Sequence, residues 1–474
     1  MSKKDKQELR QQIACEWLHE NYLQFGNLRH DVVADRLQVR CAHSLGEEAI
    51  GRLDERQELW RNLTDKDINT MVCQCVAESG VNISVTEMWT ALKSDMVPAV
   101  HPLRAWLQEL QPWTPDRPDW IDFVARQVHV KTNDTENRND DNIDNLRPNQ
   151  YPLGAQGENT HSRGRSIDCR GTLSPLSSET PTPLSLQHNP AERLWRACFK
   201  KWFVAMVASW MHDEVVNHTV LVLVGRQGIY KTTWLDHLIP PALRPYSSKL
   251  PLSGQISKDD RLRLCENGML NIDELDAICG REMNIMKSLL TSTDINERAA
   301  YGRLKERKVR LASFCASTNK REFLTDITGN RRWLPFEVES IQNPFYTTLP
   351  YEMMYAQAVY LVQNDFNYWF DMDEIEVMEQ HNEEFRAQEN EEQLLPILFD
   401  IPAEGKGEFM TTAEISERLV TYGNIKKPMK TRQLGMLMAK KGFQKKQVFL
   451  SGTNVRGWMV YNRQIDEIKL AKNI

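Results

Sequence analysis

The stretch GRQGIYKTT (Gly225–Thr233) decides how the chain is read. It follows a β-branched run, TVLVLVG (Thr219–Gly225), and opens a segment of helical spacing, so strand, turn and helix succeed one another as in a phosphate-binding loop. In such a loop backbone N–H groups and the positive end of the helix surround the phosphates. A lysine bridges the terminal ones and a hydroxyl reaches Mg²⁺. Gly225, Gln227, Gly228, Ile229, Tyr230, Lys231, Thr232 and Thr233 are therefore the candidate ATP-binding residues. Tyr230 stands where the usual G-x-x-x-x-G-K-[ST] pattern has its last glycine. A side chain is tolerated there if φ is negative and the ring turns from the phosphates, packing under the loop or near the base. Gly228 supplies a left-handed position inside the loop.

Three downstream stretches support the loop. GMLNIDELD (Gly268–Asp276) is an apolar strand ending in Asp273 and Glu274. There an aspartate, with Thr232, can hold Mg²⁺ and its waters, and a glutamate can polarise the attacking water. RLASFCASTN (Arg310–Asn319) ends in Ser317, Thr318 and Asn319, where a polar side chain between the carboxylate-bearing strands can orient that water. TGNRRWLPFEV (Thr328–Val338) puts Arg331 and Arg332 on a turn before a further strand, suited to reach the γ-phosphate of a neighbouring subunit. Short apolar runs alternating with helical stretches predict an α/β core with a parallel sheet, reaching to about Glu339.

At 474 residues the chain holds about three domains. Residues 132–190, rich in Asn, Asp, Ser, Thr and Pro, cannot bury enough apolar surface to offset their ordering entropy and read as a disordered linker or insertion. Residues 1–131 show helical periodicity with Trp60, Trp89, Trp106, Trp113 and Trp120 as anchors, and predict a mostly helical domain. The ATPase core spans 191–342. A helical extension covers 343–402, its acidic stretch from Asp371 to Gln393 reading as a solvated helix face.

Residues 403–474 form a separate module. MTTAEISERLVTYG (Met410–Gly423) reads as a capped helix, and KTRQLGMLMAKKGF (Lys430–Phe443) as a second with its apolar face at Leu434, Leu437 and Met438. The runs QKKQVFL and RGWMVYN then predict a hairpin, so the module reads as a winged helix-turn-helix. From Lys426 to Lys446 cations occur without an acidic residue, and Lys430, Arg432, Lys440 and Lys441 are candidate nucleic-acid contacts. A small protein-docking domain with a basic face is the competing reading.

The net charge of −6 excludes a wholly basic nucleic-acid coat, so contacts with DNA must come from local patches. Nine cysteines without a C-x-x-C pair read as reduced thiols of a cytoplasmic protein. The charged start MSKKDKQELRQQ and the lack of an apolar run of about 18 residues argue against secretion and membrane spanning.

Taken together, GRQGIYKTTW, NIDELDAI, NERAAYGRLKERKVRLASFCASTN and FLTDITGNRRWLPFEV resemble the virulence-associated protein E family, in its Bacteroidetes-type branch. Its ATPase core is related to the superfamily 3 helicases within the AAA+ class. NLRHDVVADRLQV, LTDKDINTMV and HPLRAWLQELQPW are similar to the helical domain preceding that core. The resemblance implies a ring-forming, Mg²⁺-dependent ATPase, expected as a hexamer and acting as a replication helicase or DNA-remodelling motor of a mobile element. A primase partner would be separately encoded. It also implies a pore-lining hairpin before the sensor strand, making Arg303, Lys305, Arg307 and Lys308 candidates to grip the phosphate backbone by charge. Arg298 and Arg310 are assigned to the nucleotide site or a subunit contact. A nucleotide-dependent switch that binds DNA without translocating is the alternative. A nuclease or primase finds no carboxylate cluster outside Asp273, Glu274 and Asp276.

Overall fold

The computed structural model describes residues 3–40, 60–131, 190–250, 257–273, 275, 280–297, 306–324, 330–387, 390–403, 407–426, 428–450 and 452–463. Of the linker expected at 132–190, residues 132–189 lie outside them, together with Glu274, Asp276, Arg298, Arg303 and Lys305, and Pro190 opens a helix. The chain divides into two units: Met1–Asn319 with Trp333–Val377, and Lys320–Arg332 with Met378–Ile474.

The first unit begins with α1 (Lys3–Leu18), β1 (Leu28–Asp31), β2 (Arg36–Arg40), β3 (Trp60–Asn62), α2 (Asp65–Ser79), α3 (Val85–Leu92) and β4 (Ala99–Val100). The helix starts are written in the sequence: Thr64 with Asp67, and Ser84 with Glu87, close reciprocal capping boxes. Ile68, Met71, Met88 and Leu92 then face one apolar core with Leu18 and Leu28. Beside these helices β3-β2-β1-β4 form a four-stranded sheet that the sequence reading did not draw. At two to five residues each, these strands are too short to print a period of two against the surrounding helices.

Next come α4 (Pro102–Gln108), α5 (Trp120–Ala125) and β5 (Val128–Val130). His101 caps α4, its Nδ1 accepting from the Arg104 N–H at 3.3 Å. Burial, and then the Arg104 guanidinium, push the imidazole down from 6.5 to about 4. The unfolded chain takes up this proton first, so the stability it carries is complete above about pH 6.5 and is lost as pH falls from there towards 4. We expect the stability measured by thermal unfolding to fall over that window by about 1–2 kcal/mol, discounted for partial solvent access. His101→Asn, which keeps a capping side chain, should flatten the dependence; an unchanged pH profile in that variant would assign the loss elsewhere.

The core follows: α6 (Pro190–Met211), β6 (Val220–Val224), α7 (Lys231–His237), β7 (Ser247–Lys249), α8 (Lys258–Glu266), β8 (Met269–Ile272), α9 (Gly280–Thr291), β9 (Asp294–Glu297), β10 (Glu306–Val309), β11 (Ser313–Thr318), β12 (Trp333–Ile341), α10 (Tyr351–Gln363) and α11 (Met372–Asn382). The central sheet has the order β5-β12-β6-β11-β8-β7. Every pairing in it is parallel except the edge pairing of β5 with β12. A parallel sheet is covered on both faces, which is why β6 and β11 are buried at every position. Helix α6 lies in the core and is buried along most of its length. Its indoles donate to Ala125 O (Trp195, 2.9 Å), Phe314 O (Trp202, 3.0 Å) and Gly268 O (Trp210, 3.1 Å), which meets the polar need of buried tryptophan. Gly268 is required there, because a Cβ would stand 2.8 Å from the Trp210 ring.

The acidic stretch Asp371–Gln393 is not uniformly solvated. In the first unit Glu374 is buried against Lys201 at 2.6 Å. In the second unit Glu391 and Glu392 are buried, Glu391 accepting from Met429 N–H at 2.6 Å and Glu392 gripped by Arg386. Buried charges persist only when paired in this way.

The second unit adds α12 (Asn390–Leu398), β13 (Phe399–Asp400), β14 (Glu408–Thr411), α13 (Thr412–Gly423), α14 (Thr431–Lys440), β15 (Gln444–Leu450) and β16 (Thr453–Asn462). Strands β14 and β15 both pair antiparallel with β16, and β13 pairs with its far end. Thr411 and Glu414 form a capping box at α13, and Leu434, Leu437 and Met438 of α14 are fully buried with Ile415 and Leu419, the faces the sequence predicts. Gly457 lets β14 approach, since a Cβ would meet Met410 O at 2.4 Å.

Candidate nucleotide site

Strand β11 lies between β6 and β8, with Thr318 opposite Val224 and Ala316 opposite Ile272. The carboxyl ends of three adjacent strands therefore meet: β6 delivers the loop, β8 delivers Asp273 and β11 delivers Ser317 and Asn319. In open α/β sheets this edge is where ligands bind.

The loop is tied down from behind. Gly225 N–H donates to Thr318 O at 3.1 Å, and a Cβ on Gly225 would stand 2.7 Å from Val338 O of β12, so only glycine fits. Gly228 has φ +86°, the left-handed position foreseen for it. Tyr230 departs from expectation, because its φ is +67° rather than negative. The last glycine's conformation is thus kept by a tyrosine, at a strain of about 1 kcal/mol or more. Its ring packs outward rather than under the loop. Asn343 Nδ2 donates to Tyr230 Oη at 3.4 Å and Phe345 meets the ring edge-to-face.

Lys231 opens α7 and is buried, its Nζ donating to Gly225 O at 2.7 Å, Arg226 O at 2.8 Å and Asn319 Oδ1 at 3.0 Å. Thr232 Oγ1 donates to Asp273 Oδ1 at 3.1 Å and lies 2.8 Å from Ser317 Oγ, which itself stands 3.3 Å from Asp273 Oδ1. Thr233, partly buried, offers its carbonyl to His237 Nδ1 at 2.7 Å. Gln227 and Gly228 are exposed and Ile229 is half-buried. The hard oxygens of Thr232, Ser317 and Asp273 fit Mg²⁺, which takes one or two carboxylates and fills its sphere with water and phosphate oxygens.

Lys249, at the end of β7, is a residue of this site that sequence reasoning missed: its Nζ stands 3.0 Å from Asp273 Oδ2. Burial raises the Asp273 carboxyl, but the hydrogen bond and charge of Lys249, with the Thr232 and Ser317 hydroxyls, outweigh it and hold the group below the ordinary carboxylate range. Only the pairing of β7 with β8, Lys249 opposite Asn271, reveals this neighbour.

Strands β9 and β10 pair antiparallel, Glu297 opposite Glu306, before β11. Here Arg307 pairs with Asp294 at 2.8 Å and Lys308 with Asp35 at 3.5 Å. Arg310 is corrected to a structural residue: it is fully buried and donates to Leu289 O at 2.8 Å and to Asn217 O. Burial pushes its guanidinium down to about 9.

In the second unit Arg331 is exposed and Arg332 half-buried on the turn before β12. Arg432 on α14 and Lys430 at its N-cap are exposed, whereas Lys440 pairs with Glu383 at 2.6 Å and Lys441 with Glu392 at 3.5 Å. Arg432 lines a groove between α14 and the hairpin together with Lys445 and Arg456, two cations absent from the sequence-based set.

The description "Virulence-associated protein E-like domain" matches residues 184–387, a span containing the phosphate loop, Asp273, Asn319 and both arginines. Over residues 184–387 the chain is similar to that domain. No curated protein matches it. Among solved structures it is similar to the apo NrS-1 C-terminal region, at 11% identity and a TM-score of 0.40, covering 94% of this chain and 99% of that one. A RuvB mutant of Thermotoga maritima gives 12% identity and a TM-score of 0.20, covering 58% of this chain and 94% of that one. Among the described residues no helix is long and apolar enough to cross a membrane.

Proposed function

We propose that this virulence-associated E-like chain is a Mg²⁺-dependent ATP hydrolase of the superfamily 3 type, assembling as a ring, expected as a hexamer, that moves on or unwinds DNA in the cytoplasm. The observation that carries the reading is the meeting of Lys231, Thr232, Asp273, Ser317 and Asn319 at the ends of three adjacent strands. Lys231 supplies the cation for the terminal phosphates. Asn319, already hydrogen-bonded to Lys231, lies beside it and orients the attacking water. Glu274, one residue beyond Asp273, takes that water's proton. Mg²⁺, when bound through Thr232 and Asp273, neutralises phosphate charge. Arg331 or Arg332 completes the site of the adjoining subunit. A forked DNA with ATP tests the motor: strand displacement is expected, and ATP hydrolysis without displacement would leave a non-translocating switch.

The second unit is read as a winged helix in which α14 and the β15–β16 hairpin meet DNA. Its phosphate contacts then fall on Arg432, Lys445 and Arg456. Each alanine substitution should reduce the slope of log affinity against log salt by about 1. A slope unchanged in the triple variant would assign the module to protein docking.

A further inference from the structure

Tyr230 is held in a left-handed conformation that glycine adopts freely, and such strain is kept where a side chain does something glycine cannot. The ring contributes little to burial, being 39% exposed. What it does is open a row of aromatics. Tyr230, Thr233 and His237 stand at i, i+3 and i+7 on one face of α7, opposite the buried Leu235. Phe345 lies along that face and meets Tyr230 at 6.3 Å and 81° and His237 at 5.7 Å and 85°. Edge-to-face contacts leave ring faces open, and Phe345 is 69% exposed. Asn343 fixes the arrangement, its Oδ1 accepting from Phe345 N–H at 3.0 Å while its Nδ2 donates to Tyr230 Oη. Its amide holds both rings in place, and the exposed ring faces make stacking the chemistry of this face.

We infer that the Tyr230–Phe345 face receives the base of the nucleotide whose phosphates lie on Gly225–Thr233. The inference rests on the phosphate-loop reading of the same helix. Continuity identifies the occupant: the aromatic row starts at the residue next to Lys231, so a nucleotide gripped by its phosphates at the start of α7 has this face beside it. Because every base has a π-face, the site selects a nucleoside triphosphate over bare polyphosphate and discriminates little between ATP and GTP.

The test is calorimetric titration of the full chain with ATP, GTP and inorganic tripolyphosphate, each with Mg²⁺. The wild type is expected to bind ATP and GTP within a few-fold of each other, and both more tightly than tripolyphosphate. Phe345→Ala should weaken ATP about 5- to 100-fold, the range that base stacking contributes, and leave tripolyphosphate unchanged. Phe345→Trp should keep the preference for ATP. Tyr230→Gly should also lose that preference while its unfolding temperature holds or rises, since glycine relieves the strain, so the loss is not unfolding. Equal binding of ATP and tripolyphosphate by the wild type, or ATP affinity within twofold of wild type in both Phe345→Ala and Tyr230→Gly, overturns the inference. Tripolyphosphate that fails to bind the wild type, by contrast, removes the phosphate-loop reading and the base site with it.

Discussion

Lys231→Ala is expected to bring ATP hydrolysis down by on the order of 10³-fold or more, to the background of a phosphate-release assay. Among the described residues the ammonium is the cation that the geometry presses against the loop from within, resting on Gly225 O, Arg226 O and Asn319 Oδ1. Alanine removes the charge that faces the terminal phosphates and also frees the Asn319 amide from its anchor, so positioning and electrostatics fail together. Glu274→Gln separates the two: nucleotide binding should persist while turnover is lost, because the amide fills the space of the carboxylate but takes no proton. Normal hydrolysis by purified Lys231→Ala would sink the assignment of this loop.

Readability in the sequence followed the range of the interactions. The strand, loop and helix around Lys231 are local, and local patterning is enough to draw them: a buried β-branched run, Gly225 where Val338 O closes in, and Gly228 at positive φ. Capping at Thr64, Ser84 and Thr411 is equally local. The conformation of Tyr230 was not legible, because tyrosine is an unfavourable choice for positive φ and the compensating contacts come from Asn343 and Phe345, more than 110 residues on. Lys249 was missed for the same reason, since only sheet order brings β7 beside Asp273. Arg310 misled because an arginine amid basic residues reads as solvated or functional, whereas tertiary packing surrounds it with the carbonyls of Leu289 and Asn217. Glu374, Glu391 and Glu392 read as a solvated face because their partners Lys201, Met429 and Arg386 are set by tertiary folding.

The arginine pair tests catalysis and assembly at once. Asn330, just before it, is buried and its carbonyl accepts from Asn382 Nδ2 at 2.9 Å, which fixes the backbone from which the turn departs. Arg331 then projects into solvent, while Arg332 is half-buried, with burial and the neighbouring Arg331 charge lowering its guanidinium. A finger that reaches another subunit must leave its own surface, so we propose Arg331 for that role and Arg332 for a structural or sensor contact. Arg331→Ala should bind ATP normally and lose roughly 10³-fold or more in turnover. Mixing makes the assignment specific. Arg331→Ala subunits keep an intact loop and Lys231→Ala subunits keep an intact finger, so mixed rings should regain activity wherever the sound loop of one meets the sound finger of the other. Demonstrably mixed rings that stay inactive, or full activity in both single arginine variants, would refute a contribution in trans and leave each site to work with the residues of its own chain.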